Sequence, residues 1–311
     1  MYSRRNFLKN SGAAAFSGFL LSNKAAAGFF EKKTQHAVGL QLYTITSILV
    51  KDIPGTLKQI AAIGYKELES AESMKGPYYG KAPKVFAAMA KDAGLTWISN
   101  HVEGGPLMKP TPRPASDTTS RKPKKPNSPF FRNLKEDYQV LVDDAAEGGL
   151  GFLVCASIPL GTGDEIKEAA SILNTAGEAA KKAGITLCYH NHTHEFTAVE
   201  GIMPYDYLLS QTSPDILKLE LDLAWATKAG ADPLELFKKH KGRFPLWHVK
   251  DIDAVKKLPV EVGTGIVDFK RIFAEAKKAG MQHFFVEQDD APKPMDNITT
   301  SYNNIVAKIL V

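Results

Sequence analysis

A short pattern recurs along the chain: an alanine-rich helical segment, usually with lysines near its end, then a glycine, then a run of β-branched and aromatic residues. Copies of the pattern turn at Gly64, Gly94, Gly184 and Gly280. Glycine is typical of a helix C-terminus because it accepts the left-handed conformation, and lysine is favourable near the negative end of the helix dipole. Each copy therefore predicts a joint between a helix and the strand that follows it.

Eight strand candidates alternate with helical segments, at residues 38–43, 65–69, 95–99, 151–156, 185–189, 217–223, 245–250 and 281–287. Alternation of this kind is typical of parallel strands joined by helices, and about 250 residues of it fit one closed barrel. We therefore predict an α/β protein with a (β/α)8 TIM barrel as a single domain. An open doubly wound sheet is the alternative, but no Gly-x-Gly-x-x-Gly turn follows the first strand candidate.

The N-terminus carries two adjacent arginines, Arg4 and Arg5, followed by a small and apolar run and by alanines at 25–27. This pattern resembles a twin-arginine export signal with a small-residue cleavage site. We expect residues 1–27 to be a signal peptide, residues 28–311 to form the barrel, and the protein to be periplasmic or otherwise exported. A basic N-terminal helix is the alternative. The apolar run is too short for a bilayer span, which takes ~20 residues, so no membrane partner is expected.

A proline-rich, basic insertion at about 104–129 interrupts the alternation between the third strand and the third helix. It contains four lysines and arginines within residues 121–126. A solvated and partly disordered insertion is the simplest interpretation of such a composition. Because this is the face on which barrels carry their active sites, the alternatives are a lid or a basic arm that reaches an anionic substrate or a neighbouring subunit.

The overall charge does not indicate a nucleic-acid partner. The chain has 311 residues, of which 44% are hydrophobic and 23% charged, as in ordinary globular proteins. Its formal net charge is +5 at pH 7, and the N-terminal segment together with the insertion supplies more than this whole excess. Because the remainder is close to neutral, we expect no nucleic-acid binding.

Polar residues lie at the ends of the last three strand candidates. Asp222 belongs to the sixth, His248 to the seventh and Glu287 to the eighth. In a barrel these ends converge on one mouth. Carboxylate and imidazole ligands together suit Mn, Co, Zn or Fe rather than Ca or a thiolate-bound ion. We expect one divalent metal ion, Mn, Co, Zn or Mg, of undetermined identity.

The fifth strand candidate ends in a crowded segment, 190–196, which holds three histidines and Glu195. Either Glu195 or His190 completes a four-ligand shell, and we prefer Glu195 because a third anion holds a hard or borderline ion better. Each of these residues alone is more simply a loop cap or the partner of a backbone group. Their joint occurrence on consecutive strands favours a metal, because carboxylates brought together repel one another and need a cation.

In these motifs the chain resembles the sugar phosphate isomerase/epimerase family of xylose isomerase-like barrels, from about residue 38 to the C-terminus outside the insertion. The resemblance is carried by five motifs: His190-Asn191-His192-x-x-Glu195-Phe196, Leu221-Asp222-x-x-Trp225, His248-Val249-Lys250-Asp251, Gly263-Thr264-Gly265 and Val286-Glu287-Gln288-Asp289. It implies one divalent metal held by residues of the last four strands, here Glu195, Asp222, His248 and Glu287. Many relatives end the fifth strand in Glu where this chain has His190, so His190 in place of Glu195 stays open.

The chemistry expected at a metal-bound carbonyl suggests candidate roles for other residues of the mouth. Candidate bases that remove a proton beside a carbonyl are Glu195, Glu287 and His192. Lys250 and His101 are candidate electrophiles or ligands of a substrate hydroxyl. The alternatives are an ion pair to Asp251 or Asp253 for Lys250 and a loop cap for His101. The expected substrate-binding residues are His101, His190, Trp225 and Tyr43, the two aromatic residues by stacking on a sugar, with core packing as their alternative.

These features together predict a metal-dependent isomerase or epimerase that acts on a sugar or keto-sugar through an enediolate. A lyase or hydratase acting on a 3-keto-glycoside is the first alternative, and the expected export favours such a non-phosphorylated substrate. A sugar-binding barrel without catalysis is the second. A third class, the metal-dependent endonucleases that share the barrel, uses three metals and a basic groove, and neither is indicated here. The substrate and the oligomeric state are left undetermined.

Overall fold

The structure, a computed structural model, describes residues 36–106 and 132–310. The predicted signal peptide at 1–27 and residues 107–129 of the predicted insertion lie outside the described residues. The described strands are β1 Gly39–Gln41, β2 Glu67–Ser70, β3 Thr96–Glu103, β4 Phe152–Ser157, β5 Thr186–His190, β6 Lys218–Asp222, β7 Leu246–Val249, β8 Asp251–Ile252, β9 Pro259–Val260 and β10 His283–Val286.

Eight of these strands form a closed parallel barrel in the order β1-β10-β7-β6-β5-β4-β3-β2. The barrel closes where Leu40 of β1 pairs with Val286 of β10. The remaining two strands, β8 and β9, form a short antiparallel hairpin after β7. The predicted (β/α)8 barrel is therefore confirmed, and all eight strand candidates overlap a barrel strand.

Helices follow the barrel strands along the chain. They are α1 Thr46–Leu49, α2 Ile53–Ile63, α3 Pro83–Asp92, α4 Leu134–Gly148, α5 Gly163–Lys182, α6 Pro204–Gln211, α7 Leu223–Lys228, α8 Pro233–Lys239, α9 Phe269–Phe273, α10 Ala276–Ala279 and α11 Pro294–Asn304. Short 3-10 helices occupy Leu42–Ile45, Pro77–Gly80 and His194–Phe196, and a π-helix occupies Ile305–Ile309.

The predicted joints between helix and strand have the expected backbone conformation. Gly184 follows α5 with a φ of +75°, and Gly280 follows α10 with a φ of +83°. Gly64 and Gly94 are likewise in the positive-φ region. Residues with a Cβ are strained there, which explains why glycine ends each copy of the recurring pattern.

The barrel interior is layered along its axis. Side chains alternate between the interior and the helix side of each strand. One interior layer is a buried apolar cluster made of Phe152, Val154, Cys188, Leu246 and Phe285. Two positions further along three of these strands the interior becomes polar, at His190, His248 and Glu287. This change places the polar residues toward the C-terminal mouth.

Candidate metal centre and active site

Three side chains meet at the C-terminal ends of β6, β7 and β10. Asp222 is the last residue of β6, His248 lies in β7, and Glu287 directly follows β10. One potential ligand atom from each lies within 4.8 Å of the other two, and all three residues are buried. His248 Nδ1 is 2.8 Å from Glu287 Oε2 and 3.9 Å from Asp222 Oδ2. The structure thus brings together three of the four residues that the resemblance implied.

Asp222 has one oxygen available for a ligand. Its Oδ1 accepts a hydrogen bond of 2.8 Å from the backbone N–H of Trp225, which caps the start of α7. Its Oδ2 is buried and has no hydrogen-bond partner among the residues that the structure describes. Burial raises the pKa of Asp222, although the charges of Lys250 and His248 oppose that shift. A buried carboxylate oxygen is costly unless a cation approaches it. Lys250 Nζ, 3.2 Å from Oδ2, supplies one such charge, and a bound metal ion would supply another.

His190, the last residue of β5, is the fifth-strand side chain that meets this group. Its Nε2 lies 4.0 Å from Asp222 Oδ2, and its ring centroid is 4.4 Å from that of His248. The structure therefore places His190 beside the three converging residues.

Glu195 lies further along, in the 3-10 helix His194–Phe196, and both of its oxygens are occupied. Oε1 accepts the hydroxyl hydrogen of Tyr189 at 2.8 Å and lies 3.3 Å from His194 Nε2. Oε2 accepts the backbone N–H of His192 at 2.9 Å. The residue groups with His192 and His194 rather than with Asp222. This geometry favours His190 over the preferred Glu195 as the fourth ligand.

The donor set fits a divalent transition metal. On an ion with bonds of ~2.1 Å, tetrahedral donor atoms stand about 3.4 Å apart. The separations of 3.9 and 4.0 Å from Asp222 Oδ2 to the two histidines are somewhat longer than this value. The His248–Glu287 separation of 2.8 Å is somewhat shorter. Two imidazoles and two carboxylates are ligands that Zn, Mn, Fe and Co accept.

Lys250 is buried at the same mouth and is surrounded by acids. Its Nζ lies 2.7 Å from Glu287 Oε2, 2.8 Å from Asp289 Oδ2 and 3.2 Å from Asp222 Oδ2. Burial alone would lower the pKa of Lys250, but the three carboxylates raise it well above its ordinary value. Lys250 is therefore a fixed cation and not a base.

The alternative ion pair of Lys250 with Asp251 or Asp253 is wrong, because Lys250 pairs with other acids. Asp253 accepts backbone N–H groups of its own loop, and Asp251 holds a second loop. The Asp251 carboxylate accepts the backbone N–H groups of Gly263, Gly265 and Val267 at 3.0, 2.9 and 3.1 Å. A Cβ at Gly265 would lie 2.3 Å from Asp251 Oδ1, so only glycine fits. The Gly263-Thr264-Gly265 motif is thus a loop anchored on Asp251.

A second polar layer lies on the interior side of His248. Its Nε2 is 2.6 Å from Glu69 Oε1 and 3.1 Å from Glu220 Oε2. His101 lies between the same two carboxylates, with its Nε2 3.1 Å from Glu69 and 2.6 Å from Glu220. Burial disfavours a charged imidazole, but the two carboxylates raise the pKa of His101 to about 10. His101, expected to bind substrate, is instead 8% exposed and engaged by acids.

Comparison with known proteins identifies the family of the chain. The family model for xylose isomerase-like TIM barrels matches residues 57–302. The chain belongs to this family. A crystal structure of a sugar phosphate isomerase/epimerase from Parabacteroides distasonis superposes on this barrel with a TM-score of 0.71 at 28% identity, covering 90% of this chain and 97% of the other. The IOLI protein, crystallised with a bound zinc atom, shares the fold at 15% identity with a TM-score of 0.64, covering 88% and 99%.

Dehydratases are also similar to this xylose isomerase-like barrel. Inosose dehydratase from Lacticaseibacillus casei is 29% identical over 167 residues, which are 47% of this chain and 55% of the dehydratase. Inosose dehydratase from Geobacillus thermodenitrificans is 30% identical over 139 residues, 38% of this chain and 46% of the dehydratase. The chain thus spans about half the length of the curated relatives that it matches.

The remaining predicted residues of this family member line the mouth. Trp225 is half-buried, and its ring centroid is 4.9 Å from Lys250 Nζ and 6.4 Å from that of His192. Burial lowers the pKa of His192 to about 3, so the ring is neutral. Tyr43, which follows β1, is 38% exposed.

In the part of the chain that the structure describes, no helix is long and apolar enough to cross a membrane.

Glu69 and Glu220 were missed by the sequence analysis. The signal for Glu220 was present, because it lies two residues before Asp222 in one strand and so points to the same face. Glu69 ends the second strand candidate and was open to the same argument. That Glu69 meets His248, 179 residues away, follows only from closure of the barrel.

Proposed function

We propose that the protein is a divalent-metal-dependent sugar isomerase or epimerase that removes a proton from the carbon beside a carbonyl. The observation that carries this proposal is the convergence of Asp222, His248 and Glu287 within 4.8 Å at the mouth of a xylose isomerase-like barrel. The ligands proposed are these three residues and His190. Glu195, preferred on the sequence alone, is proposed to support the loop after β5.

When bound, a divalent ion in such a site polarises a carbonyl and its neighbouring hydroxyl and acidifies the carbon between them. The ligand set of two carboxylates and two imidazoles is proposed to carry Zn, Mn or Co, since hard Mg prefers oxygen donors. Zinc in the IOLI protein supports a transition metal in this fold.

Lys250 is proposed to stabilise negative charge on the substrate oxygen. Its ammonium is held by Asp222, Glu287 and Asp289, which keeps it charged and fixed in position. A fixed cation next to developing negative charge is worth more than a mobile one because it needs no reorganisation.

Two side chains at the mouth can take the proton, Glu287 and His192. His192 Nδ1 is buried without a hydrogen-bond partner among the described residues, which leaves one ring nitrogen free to interact with substrate. Trp225, beside both His192 and Lys250, provides a flat surface on which a sugar ring can stack. Separate His192→Ala and Glu287→Gln variants, both assayed with saturating metal, identify the base as the residue whose loss abolishes exchange of the substrate proton.

A dehydratase is the second candidate function. The similarity to inosose dehydratases of two organisms favours it. Both reactions begin with the same proton removal, and they differ in the fate of the enediolate. Returning the proton gives an epimer or isomer, whereas expelling a hydroxyl from the next carbon gives an unsaturated product and water.

The experiment combines metal analysis of the purified protein with incubation in D2O of a panel of keto-sugars, with and without phosphate. An isomerase or epimerase incorporates deuterium beside the carbonyl and forms an isomer of equal mass apart from the label. A dehydratase forms a product lighter by one water. Absence of both, with tight binding of a sugar, would identify a binding protein and overturn the proposal.

Export by the twin-arginine route is proposed as well, from residues 1–27, and it favours a non-phosphorylated substrate such as a 3-keto-glycoside. A reporter fused to residues 1–35 tests the export proposal. Transport that is lost when Arg4 and Arg5 are both replaced by lysine would support it, and transport unaffected by that change would contradict it.

A further inference from the structure

The two histidines of the proposed metal site each present one ring nitrogen to the metal position and the other to a carboxylate. His248 turns Nδ1 toward Asp222 and Glu287, and its Nε2 lies 2.6 Å from Glu69 Oε1. His190 turns Nε2 toward Asp222, and its Nδ1 lies 3.2 Å from Glu220 Oε2. A neutral imidazole carries one N–H and one lone pair, so a carboxylate on one side directs the lone pair to the other side.

Glu69 is itself locked by the strands on either side of it. Gln41 of β1 donates its amide hydrogen to Oε1 at 2.8 Å, and Ser99 of β3 donates its hydroxyl hydrogen to Oε2 at 2.6 Å. Gln41 is in turn held by the backbone N–H of Tyr43, which donates to its Oε1 at 3.0 Å. The carboxylate of Glu69 is therefore positioned before any metal binds.

Glu220 and Glu69 are linked to each other by His101. The His101 Nε2 lies within 3.1 Å of both carboxylates, and its ring stacks on that of His248 at 5.0 Å with an interplanar angle of 8°. All of these groups are buried. His101 therefore bridges the two acids and fixes the position of one carboxylate relative to the other.

The inner group is better explained as a hydrogen-bonded layer than as a second metal site. Three imidazole nitrogens, from His101, His190 and His248, lie 2.6, 3.2 and 3.1 Å from the single oxygen Glu220 Oε2. These are hydrogen-bond lengths, shorter than the separation of about 3.4 Å between donors that share an ion. The outer side also has one contact of hydrogen-bond length, His248–Glu287 at 2.8 Å, but the separations of 3.9 and 4.0 Å at Asp222 leave room for an ion there.

We propose that Glu69 and Glu220 are positioning residues that set the tautomer and orientation of His248 and His190 for metal binding. This inference rests on the proposed metal site. Carboxylates that hydrogen-bond ligand histidines raise ligand basicity, and their loss typically costs about 10- to 100-fold in metal affinity. Neither residue touches the outer site, so each acts through a histidine.

The test measures Zn²⁺ and Co²⁺ dissociation constants of the metal-free full-length protein by competition with a chromophoric chelator. Glu69→Gln and Glu220→Gln keep the side-chain shape and remove the charge. Glu67→Gln is the matched control. Glu67 begins the strand that carries Glu69, and its carboxylate lies 2.9 Å from His283 Nδ1, outside the mouth. We expect affinities about 10- to 100-fold weaker for the two test variants and unchanged affinity for Glu67→Gln.

Two further measurements separate positioning from loss of structure. Urea unfolding of each metal-free variant shows whether the fold is intact, and the visible spectrum of the Co²⁺ form reports ligand number and geometry. Ser99→Ala keeps both acidic side chains and releases only one hydrogen bond of Glu69, so a smaller loss of affinity is expected. In the test variants a changed Co²⁺ spectrum in a folded protein supports positioning.

Other outcomes overturn the inference. Wild-type affinity in both folded Gln variants would mean that the inner acids do not position the ligands, while the proposed function would stand. Two metal equivalents per wild-type chain, one of them lost in Glu220→Gln, would make Glu220 a ligand instead. If the wild-type protein binds neither metal, the proposed function itself fails, and this result is distinct from the other two.

Discussion

His248 Nδ1 lies 2.8 Å from Glu287 Oε2, although 39 residues separate them along the chain. The contact exists because β7 and β10 are neighbours in the barrel, with His248 paired to Phe285, two residues before Glu287. Burial lowers the pKa of the His248 imidazole, but the surrounding carboxylates, Glu287 among them, raise that pKa well above its ordinary value. A divalent ion therefore competes with a proton for His248.

The first prediction concerns the metal ligands. We expect Asp222→Asn and His248→Ala each to weaken metal binding by more than about tenfold, because each loses a donor itself and not only a supporting group. Metal per chain after dialysis, measured by mass spectrometry, checks this. His240→Ala, which removes a histidine outside the site, is the control. Full metal content in both test variants would contradict the assignment.

A second prediction separates His190 from Glu195. His190→Ala is expected to lose metal affinity. Glu195→Ala should keep it but lower the free energy of unfolding by about 1–3 kcal/mol, because the buried Tyr189 hydroxyl and the His192 N–H lose their acceptor. Metal titration and urea unfolding of both variants distinguish the two roles. The reverse pattern, with metal lost in Glu195→Ala and kept in His190→Ala, would restore Glu195 as the ligand.

A third prediction is that Lys250→Met slows proton exchange without loss of the metal. We expect the rate of deuterium incorporation into substrate to fall by about 10²- to 10³-fold, the usual cost of removing one preorganised group that stabilises an oxyanion. Metal should still bind. Lys228→Met is a matched control, since Lys228 is an exposed lysine with its Nζ 4.8 Å from the same Trp225 ring. Equal rates in the two variants would rule out the role proposed for Lys250.

The fourth prediction concerns pH and the metal-free protein. The pKa of His101 is raised from its ordinary 6.5 to about 10 in the folded state, because the charges of Glu69 and Glu220 outweigh burial. Its stabilising contribution is therefore fully present below pH 6.5 and is lost as pH rises toward about 10. Urea unfolding at pH 6, 8 and 10 should show a steeper decline for wild type than for His101→Gln.

The control for this experiment is His240→Gln. Burial and neighbouring cations lower the pKa of His240 in the folded state. Protonation of His240 therefore destabilises the fold, and this effect occurs only as pH falls below 6.5. Removal of His240 should leave the decline between pH 6.5 and 10 as steep as in wild type. Parallel curves for wild type and His101→Gln would show that His101 does not hold a proton between the two acids.

The barrel, and the convergence of three polar residues at its mouth, could be predicted from local sequence patterns. The joints at Gly184 and Gly280 depend on local backbone conformation, which a glycine after a helix reveals without tertiary information. Asp222, His248 and Glu287 could be placed together because the ends of parallel strands in a closed barrel share one face.

The three-dimensional fold was needed to place His190, and not Glu195, beside Asp222, and to reveal Glu69 and Glu220. After β5 the chain enters a 3-10 helix in which Glu195 accepts a hydrogen bond from Tyr189. No sequence pattern predicts that Glu195 groups with these residues and not with Asp222. Glu69 reaches His248 across the barrel, between strands that do not pair with each other. Such contacts depend on the diameter and stagger of the closed sheet, which are properties of all eight strands together and not of any one segment.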